Sequence, residues 1–170
     1  MNFFRQSPLK FLIILFSLNF LNLDVAFSHF GGRSYSTWKL RNKKVEASLR
    51  IKAFLIRKMR FSEPPKRNLT ESLNAYLEEK VVVTKEDELC PLFKKPFSLP
   101  LQGGDIVVSF SFQCPKRLND TSKIKIYFNA FFPFSPQHLH FAEIDYLGKR
   151  ENQYVLFSKE KRAYSLQKNE

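Results

Sequence analysis

Histidines are the residues that point most directly to chemistry in this sequence, and two of the three are close neighbours. His138 and His140 are separated only by Leu139, on a segment predicted to be a strand. Alternate side chains of a strand share a face, so both imidazoles are predicted on one face, about 7 Å apart. Two imidazoles in that arrangement can share a transition metal ion. The alternative is that they hydrogen-bond locally or cap a sheet edge.

The third histidine, His29, becomes a chelating residue only if it is the first residue of the mature chain. Its α-amine and ring nitrogen could then bind one ion together, a donor pair that suits Cu(II), Ni(II) and Zn(II). The predicted metal ligands are therefore His29, His138 and His140. Glu143 and Asp145 are candidate oxygen ligands nearby in sequence.

Residues 1–28 have the three-part layout of a secretory signal peptide. Arg5 and Lys10 make the beginning basic, residues 11–23 are almost wholly apolar, and Ala26 and Ser28 are the small residues that signal peptidase reads. The apolar stretch is 13 residues long, whereas a membrane-spanning helix needs roughly 20. We therefore predict cleavage after Ser28 and a periplasmic or secreted protein. The alternative is an uncleaved signal anchor.

The remaining sequence suits a single β-rich domain over residues 29–158, followed by a charged C-terminal tail over residues 159–170. Without the signal peptide the chain keeps 26 basic and 15 acidic residues. Such a surface attracts anions, including acidic envelope components and acidic proteins. The alternative is that these scattered lysines and arginines are ordinary solvated residues. Because export removes the chain from intracellular nucleic acid, we predict no nucleic-acid partner.

Cys90 and Cys114 are the only two cysteines. In an oxidising compartment an even count favours a disulfide. The bridge would close a loop of about 25 residues and contribute about 3 kcal/mol to stability. The spacing excludes a Cys-Xaa-Xaa-Cys redox pair.

The hydrophobic pattern predicts a mainly β protein, an antiparallel β-sandwich or barrel-like sheet with one inserted α-helix. The predicted helix is 68–79, because Leu69, Leu73, Tyr76 and Leu77 share one helical face and Asn68 can cap it. Short strands are predicted over 34–41, 45–56, 81–84, 89–93, 97–101, 106–113, 124–132, 138–146 and 153–158.

No arrangement of residues typical of catalysis is present, and we predict that the protein is not an enzyme. The sequence contains no Gly-Xaa-Ser-Xaa-Gly turn and no phosphate-binding glycine loop. Glu143 and Asp145 share a strand face, as paired hydrolase acids can, but nothing else marks them and the preferred interpretation is a solvated pair. A copper enzyme that uses His29 is the remaining catalytic alternative.

Several short motifs together resemble a known family. They are Ser34–Trp38, the helix with Leu73 and Tyr76-Leu77, Cys90-Pro91, Phe112–Pro115 and His138–Ala142. This set is similar to the extracytoplasmic N-terminal domain of HupE/UreJ-like proteins, which are associated with nickel or cobalt uptake. The resemblance supports metal capture by His29, His138 and His140, and it also supports the disulfide.

Members of that family continue into several transmembrane helices, which this sequence lacks. We therefore expect an exported accessory domain that captures nickel, cobalt or copper for a separate membrane permease or envelope protein. The alternative is a non-metal interaction module whose basic surface docks on an acidic envelope component or protein.

Overall fold

The computed structural model describes residues 32–59, 68–118, 123–146 and 152–166. The strands of the described chain form two sheets, as the sequence predicted for a mainly β sandwich. The strands are β1 Arg33–Arg41, β2 Lys44–Ile51, β3 Val81–Lys85, β4 Glu88–Leu89, β5 Leu92–Pro100, β6 Ile106–Gln113, β7 Ile124–Phe128, β8 Leu139–Tyr146, β9 Gln153–Phe157 and β10 Ala163–Leu166. Two α-helices, α1 Ala53–Lys58 and α2 Leu69–Lys80, lie between β2 and β3 in the chain.

The larger sheet has the order β5-β6-β2-β1-β8-β9, and the smaller one has the order β10-β7-β3-β4. All neighbouring strands are antiparallel except β1 and β8, which are parallel. In that pair Ser34 lies opposite His140, although more than 100 residues separate them in the chain. The parallel pair therefore sets the geometry around the histidines.

The core lies between the inner faces of the two sheets. Buried and exposed residues alternate along β1 and β2, which is the pattern of a sheet with one covered face. The smaller sheet contributes Phe128, whose ring stacks on His140 of the larger sheet with 3.7 Å between ring centroids. Trp38, from the larger sheet, belongs to the same buried cluster. The histidine pair thus lies at the inter-sheet contact.

The strand predicted over 45–56 is wrong in its last part, where the chain forms α1 instead. Asp105, which precedes β6, explains the break. Its Oδ1 accepts a hydrogen bond from the backbone N–H of Ala53 at 3.1 Å, at the first turn of the helix. Its Oδ2 accepts from Lys52 at 3.0 Å and from Arg50. A carboxylate that is distant in sequence therefore takes the place of a local capping side chain.

Helix α2 is confirmed within one residue. Asn68 is its N-cap, and the side-chain Oδ1 accepts from the backbone N–H of Glu71 at 2.8 Å. Leu73 and Leu77 are buried, as the helical spacing predicted. Leu69, the first residue of the helix, was expected on the same buried face, but it is 51% exposed.

Other parts of the predicted strand pattern also differ from the structure. The segments 89–93 and 97–101 are mostly one strand, β5, whose pairing with β6 is interrupted by register shifts. Strand β7 ends at Phe128 rather than at residue 132, because the chain turns there and Phe131 has a φ of 71°. Residues 163–166, within the segment predicted as a charged tail, form β10 against β7.

The predicted disulfide between Cys90 and Cys114 is confirmed. Cys90 follows β4 of the smaller sheet, and Cys114 follows β6 of the larger sheet. Both cysteines are buried. The bridge therefore links the two layers of the sandwich as well as the outer ends of the β5–β6 hairpin.

The predicted signal peptide, residues 1–28, and His29 lie outside the described residues. Among the residues that the structure does describe, none belongs to a helix long and apolar enough to cross a membrane.

Candidate functional site

His138 and His140 lie together inside the sandwich, at the beginning of β8. Neither has any exposed surface. His138 immediately precedes the strand, and His140 is its second residue. Sequence reasoning placed both imidazoles on one face, and the structure adds that this face is the inner one.

Two serines of β1 connect the histidine rings. Ser34 Oγ lies 2.8 Å from His138 Nε2 and 2.7 Å from His140 Nδ1. Ser36 Oγ lies 2.8 Å from His140 Nε2, and the indole N–H of Trp38 donates to the same Oγ at 2.7 Å. We call the five side chains the histidine relay. Ser34 thus lies between the two imidazoles, at hydrogen-bond distance from each.

Trp38 sets a direction for the hydrogens of the relay, because an indole N–H can only donate. Ser36 accepts from it and can donate its own hydrogen to His140 Nε2. His140 then carries its hydrogen on Nδ1 and donates to Ser34, which donates to His138 Nε2. In this pattern each hydroxyl hydrogen has an acceptor, and His138 carries its own hydrogen on Nδ1.

The surroundings keep both histidines neutral. Burial lowers the pKa of His138 to about 4. Burial, and in second place the charge that His138 would carry, hold the pKa of His140 well below its usual value. Phe128 stacks on His140, while the rings of Phe131 and Phe132 lie 5.0 and 6.0 Å from that of His138. A neutral imidazole keeps a lone pair, which is the form that binds metal ions.

One ring nitrogen of the pair has no hydrogen-bond partner. His138 Nδ1 is buried and unpaired. Gly32 lies next to it, and a Cβ at residue 32 would be only 3.0 Å from this nitrogen. That hypothetical Cβ would also lie 3.4 Å from the ring of Phe54. Glycine therefore leaves room beside Nδ1 that any other residue would fill.

The geometry separates the roles of the two histidines toward a metal. Both nitrogens of His140 are hydrogen-bonded to serines, so it could bind an ion only by breaking the relay. His138 Nδ1 has no such partner, but it carries a hydrogen in the pattern that Trp38 sets, so binding an ion there would require the relay to reverse its direction. The described part of the chain contains no group of three or more histidine, cysteine, aspartate or glutamate side chains that could hold a metal ion. The third predicted ligand, His29, lies outside that part.

The two candidate oxygen ligands lie on the other face of β8. Burial alternates along this strand, with His140 inside and Glu143 and Asp145 on the partly exposed side. Asp145 forms an ion pair with Arg41, and Glu143 accepts a hydrogen bond from Asn152 at 2.6 Å. These carboxylates therefore belong to the outer surface and do not face the relay.

Sequence reasoning did not identify Ser34, Ser36 and Gly32 as site residues. A signal was present, because Ser34 and Ser36 alternate in phase with the large apolar residue Trp38 along the strand. Buried serines need hydrogen-bond partners. Their partners could not be named without the β1–β8 pairing.

No protein-family model matches the chain, and no curated protein matches it at a significant level. The resemblance to HupE/UreJ-like proteins therefore stays a prediction that rests on its short motifs.

Proposed function

We propose that the protein is an exported binding domain that captures a divalent transition metal, copper, nickel or cobalt, through His138 and the mature N-terminal residue His29. The observation that carries this proposal is the unpaired Nδ1 of His138, buried beside Gly32. A buried polar nitrogen without a partner is unusual in a folded protein and calls for one.

The histidine relay suits a metal ligand at His138. Binding through Nδ1 requires the ring hydrogen of His138 to move from Nδ1 to Nε2. Ser34 can accept it there and turn its own hydrogen to His140 Nδ1, because a hydroxyl group both donates and accepts. His140 then donates from Nε2 to Ser36, so the relay runs in the opposite direction in the metal-bound form and the Ser36 hydroxyl hydrogen loses its acceptor in the relay. A hydrogen bond at the second nitrogen holds a ligating imidazole in one orientation and makes it a better ligand. Ser34 would have this role for His138, and His140 would hold Ser34 in place.

His29 can supply the remaining ligands. It is three residues before Gly32, and an extended chain spans at most about 3.3–3.6 Å per residue, so His29 can be up to about 10 Å from Gly32. An α-amine and an imidazole from His29, together with His138 Nδ1, make three nitrogen donors. This set favours Cu(II) most and Ni(II) above Co(II).

Export is supported by the disulfide, since such bonds persist mainly in oxidising compartments. An accessory domain of this kind would deliver its ion to a membrane permease or envelope protein. Delivery also requires that three ligands leave part of the coordination sphere open to the partner.

The test is a calorimetric titration with Cu(II) and Ni(II) of protein that begins at His29. His138→Gln keeps a group that can hydrogen-bond to Ser34 but removes Nδ1, and Gly32→Ala places a methyl group against that nitrogen. Both variants should bind at least tenfold more weakly, as should protein that begins at Phe30. A His138→Gln variant that folds and binds like the wild type would refute the proposal.

A second candidate function is docking on an acidic envelope component, and a specific groove favours it. The groove lies on the outer face of the larger sheet and has a volume of about 410 Å³. Lys39, Lys94 and Lys95 are among its lining residues, and Glu46 is its acidic one. Binding through this groove should weaken steeply with added salt.

A further inference from the structure

We propose that the groove on the outer face of the larger sheet binds an acidic polysaccharide, one whose sugar rings carry carboxylates. We call it the lysine groove. This inference rests on the second candidate function, because it specifies the class of ligand for the same surface.

The arrangement of side chains in the lysine groove follows from strand register. In one row across four strands, Lys39 of β1 lies opposite Glu46 of β2, which lies opposite Ser111 of β6, which lies opposite Lys94 of β5. Because neighbouring strands are about 4.8 Å apart, the lysine backbones at the two ends of this row are about 14 Å apart. The row therefore places positive charge at both ends of a polar centre.

The next row, two residues along the strands and thus about 7 Å away, contains hydroxyl groups. Thr37, Ser48, Ser109 and Phe97 follow one another across β1, β2, β6 and β5. Hydroxyl groups both donate and accept hydrogen bonds, as sugar hydroxyls do. Phe97 is 60% exposed at the end of the row, where its ring offers an apolar surface to the C–H face of a sugar.

A β-bulge directs a third lysine to the same groove. Between the pairs Lys94–Ser111 and Phe97–Ser109, β5 has one more residue than β6. In a regular strand, the consecutive residues Lys94 and Lys95 would point to opposite faces, yet both line the groove. The bulge is fixed from behind by α2, because Asn74 donates to the carbonyl of Pro96 at 3.0 Å.

The charges of the lysine groove are available to a ligand. Among the described residues, none of the three lysines forms an ion pair, whereas the Glu46 carboxylate is paired with Lys44 Nζ at 3.3 Å. The groove therefore complements an anion. Small hydroxyl-bearing residues line its floor, which favours a ligand rich in hydroxyl groups over the acyl surface of a membrane.

An acidic peptide is a poorer fit, because the usual way to bind an extended peptide is to add a strand to a sheet edge. The adjacent edge is β5, which contains Pro96 and Pro100 as well as the bulge. Proline lacks the backbone donor that strand pairing needs, and a bulge interrupts the ladder.

The experiment measures binding of the mature protein to polygalacturonate, to poly-glutamate, and to vesicles containing phosphatidylglycerol, each at two salt concentrations. Lys39→Gln/Lys94→Gln/Lys95→Gln should reduce polygalacturonate binding at least tenfold, and Phe97→Ser should reduce it several-fold without a change of charge. The matched control removes three exposed lysines elsewhere, Lys123→Gln/Lys159→Gln/Lys161→Gln, and should change binding less than twofold.

The outcomes separate the saccharide inference from the docking function. Binding of poly-glutamate or vesicles but not of polygalacturonate, lost in the groove variant only, would refute the saccharide and support docking on another acidic component. Equal losses in the groove and control variants would refute both, because total charge would then explain binding. Failure to bind any of the three probes would also refute both.

Discussion

Replacing Ser34 by alanine tests the histidine relay most severely. Ser34 is fully buried, and its hydroxyl group is the shared partner of His138 Nε2 and His140 Nδ1. Alanine would leave both nitrogens in the core without a partner. Each unpaired buried polar group costs about 1–3 kcal/mol, so Ser34→Ala should lower the free energy of unfolding by about 2–6 kcal/mol. The lost hydroxyl volume is small, and the cavity adds little.

Thr84→Val is the matched control for this substitution. The Thr84 hydroxyl is also buried, but it has no hydrogen-bond partner. Its removal should leave stability unchanged or raise it slightly, because an unsatisfied group leaves the core.

Both variants are measured by urea unfolding at pH 7.5 with the disulfide intact. We expect Ser34→Ala to lose at least about 2 kcal/mol of unfolding free energy with an unchanged denaturant slope, and Thr84→Val to lose none. If Ser34→Ala loses less than about 1 kcal/mol, the serine does not bridge the two rings.

Three further predictions concern stability. Burial lowers the pKa of His138 to about 4 and also lowers the pKa of His140. Below pH 6.5 the unfolded chain therefore binds protons on these histidines that the native chain does not bind. Urea unfolding should therefore show that stability falls as the pH is lowered from 6.5 to 4, and His138 alone should account for a loss of about 2 kcal/mol at pH 5. Stability that does not change over this pH range would contradict the prediction. Burial raises the pKa of Asp105, but hydrogen bonds from Lys52, the Ala53 N–H and Arg50 outweigh it, so the pKa is lowered overall. The stabilisation that the ionised carboxylate gives the native state is therefore lost as the pH falls below about 3.8. Asp105→Asn should lower the free energy of unfolding by about 1–2 kcal/mol at pH 7, and its stability should fall less than that of the wild type in acid. Thermal unfolding at pH 7 and in acid measures this. Equal stability of the variant and the wild type at pH 7 would refute it. Replacing Cys90 and Cys114 by alanine should cost about 3 kcal/mol in urea unfolding, and no change would show that the bridge does not restrict the unfolded chain.

Much of the sandwich follows from local patterns in the sequence. The strand 106–113 alternates apolar and polar residues and coincides with β6, and Asn68 with Glu71 marks the beginning of α2. The disulfide follows from the number of cysteines and the predicted compartment. Each of these inferences needs only residues that are near one another, or a simple count.

The features that were not predicted depend on contacts with residues that are distant in sequence. The alternation of β2 continues past Ile51, and only the carboxylate of Asp105 shows that a helix begins there. The bulge that exposes Lys94 and Lys95 depends on the register against β6.

The candidate site was predicted in the same partial way. The spacing of His138 and His140 placed them on one face, but the identity of that face and the bridging serine depend on the parallel pairing of β1 with β8. No local pattern in the sequence indicates that β1 pairs with a parallel strand more than 100 residues away.

Electron paramagnetic resonance of Cu(II) bound to protein that begins at His29 counts the imidazoles that hold the metal, because pulsed methods detect each coordinated imidazole through its remote ring nitrogen. We expect two coordinated imidazoles in the wild type and one in His138→Gln. Identical spectra for the two proteins would show that the buried nitrogen beside Gly32 does not bind the metal.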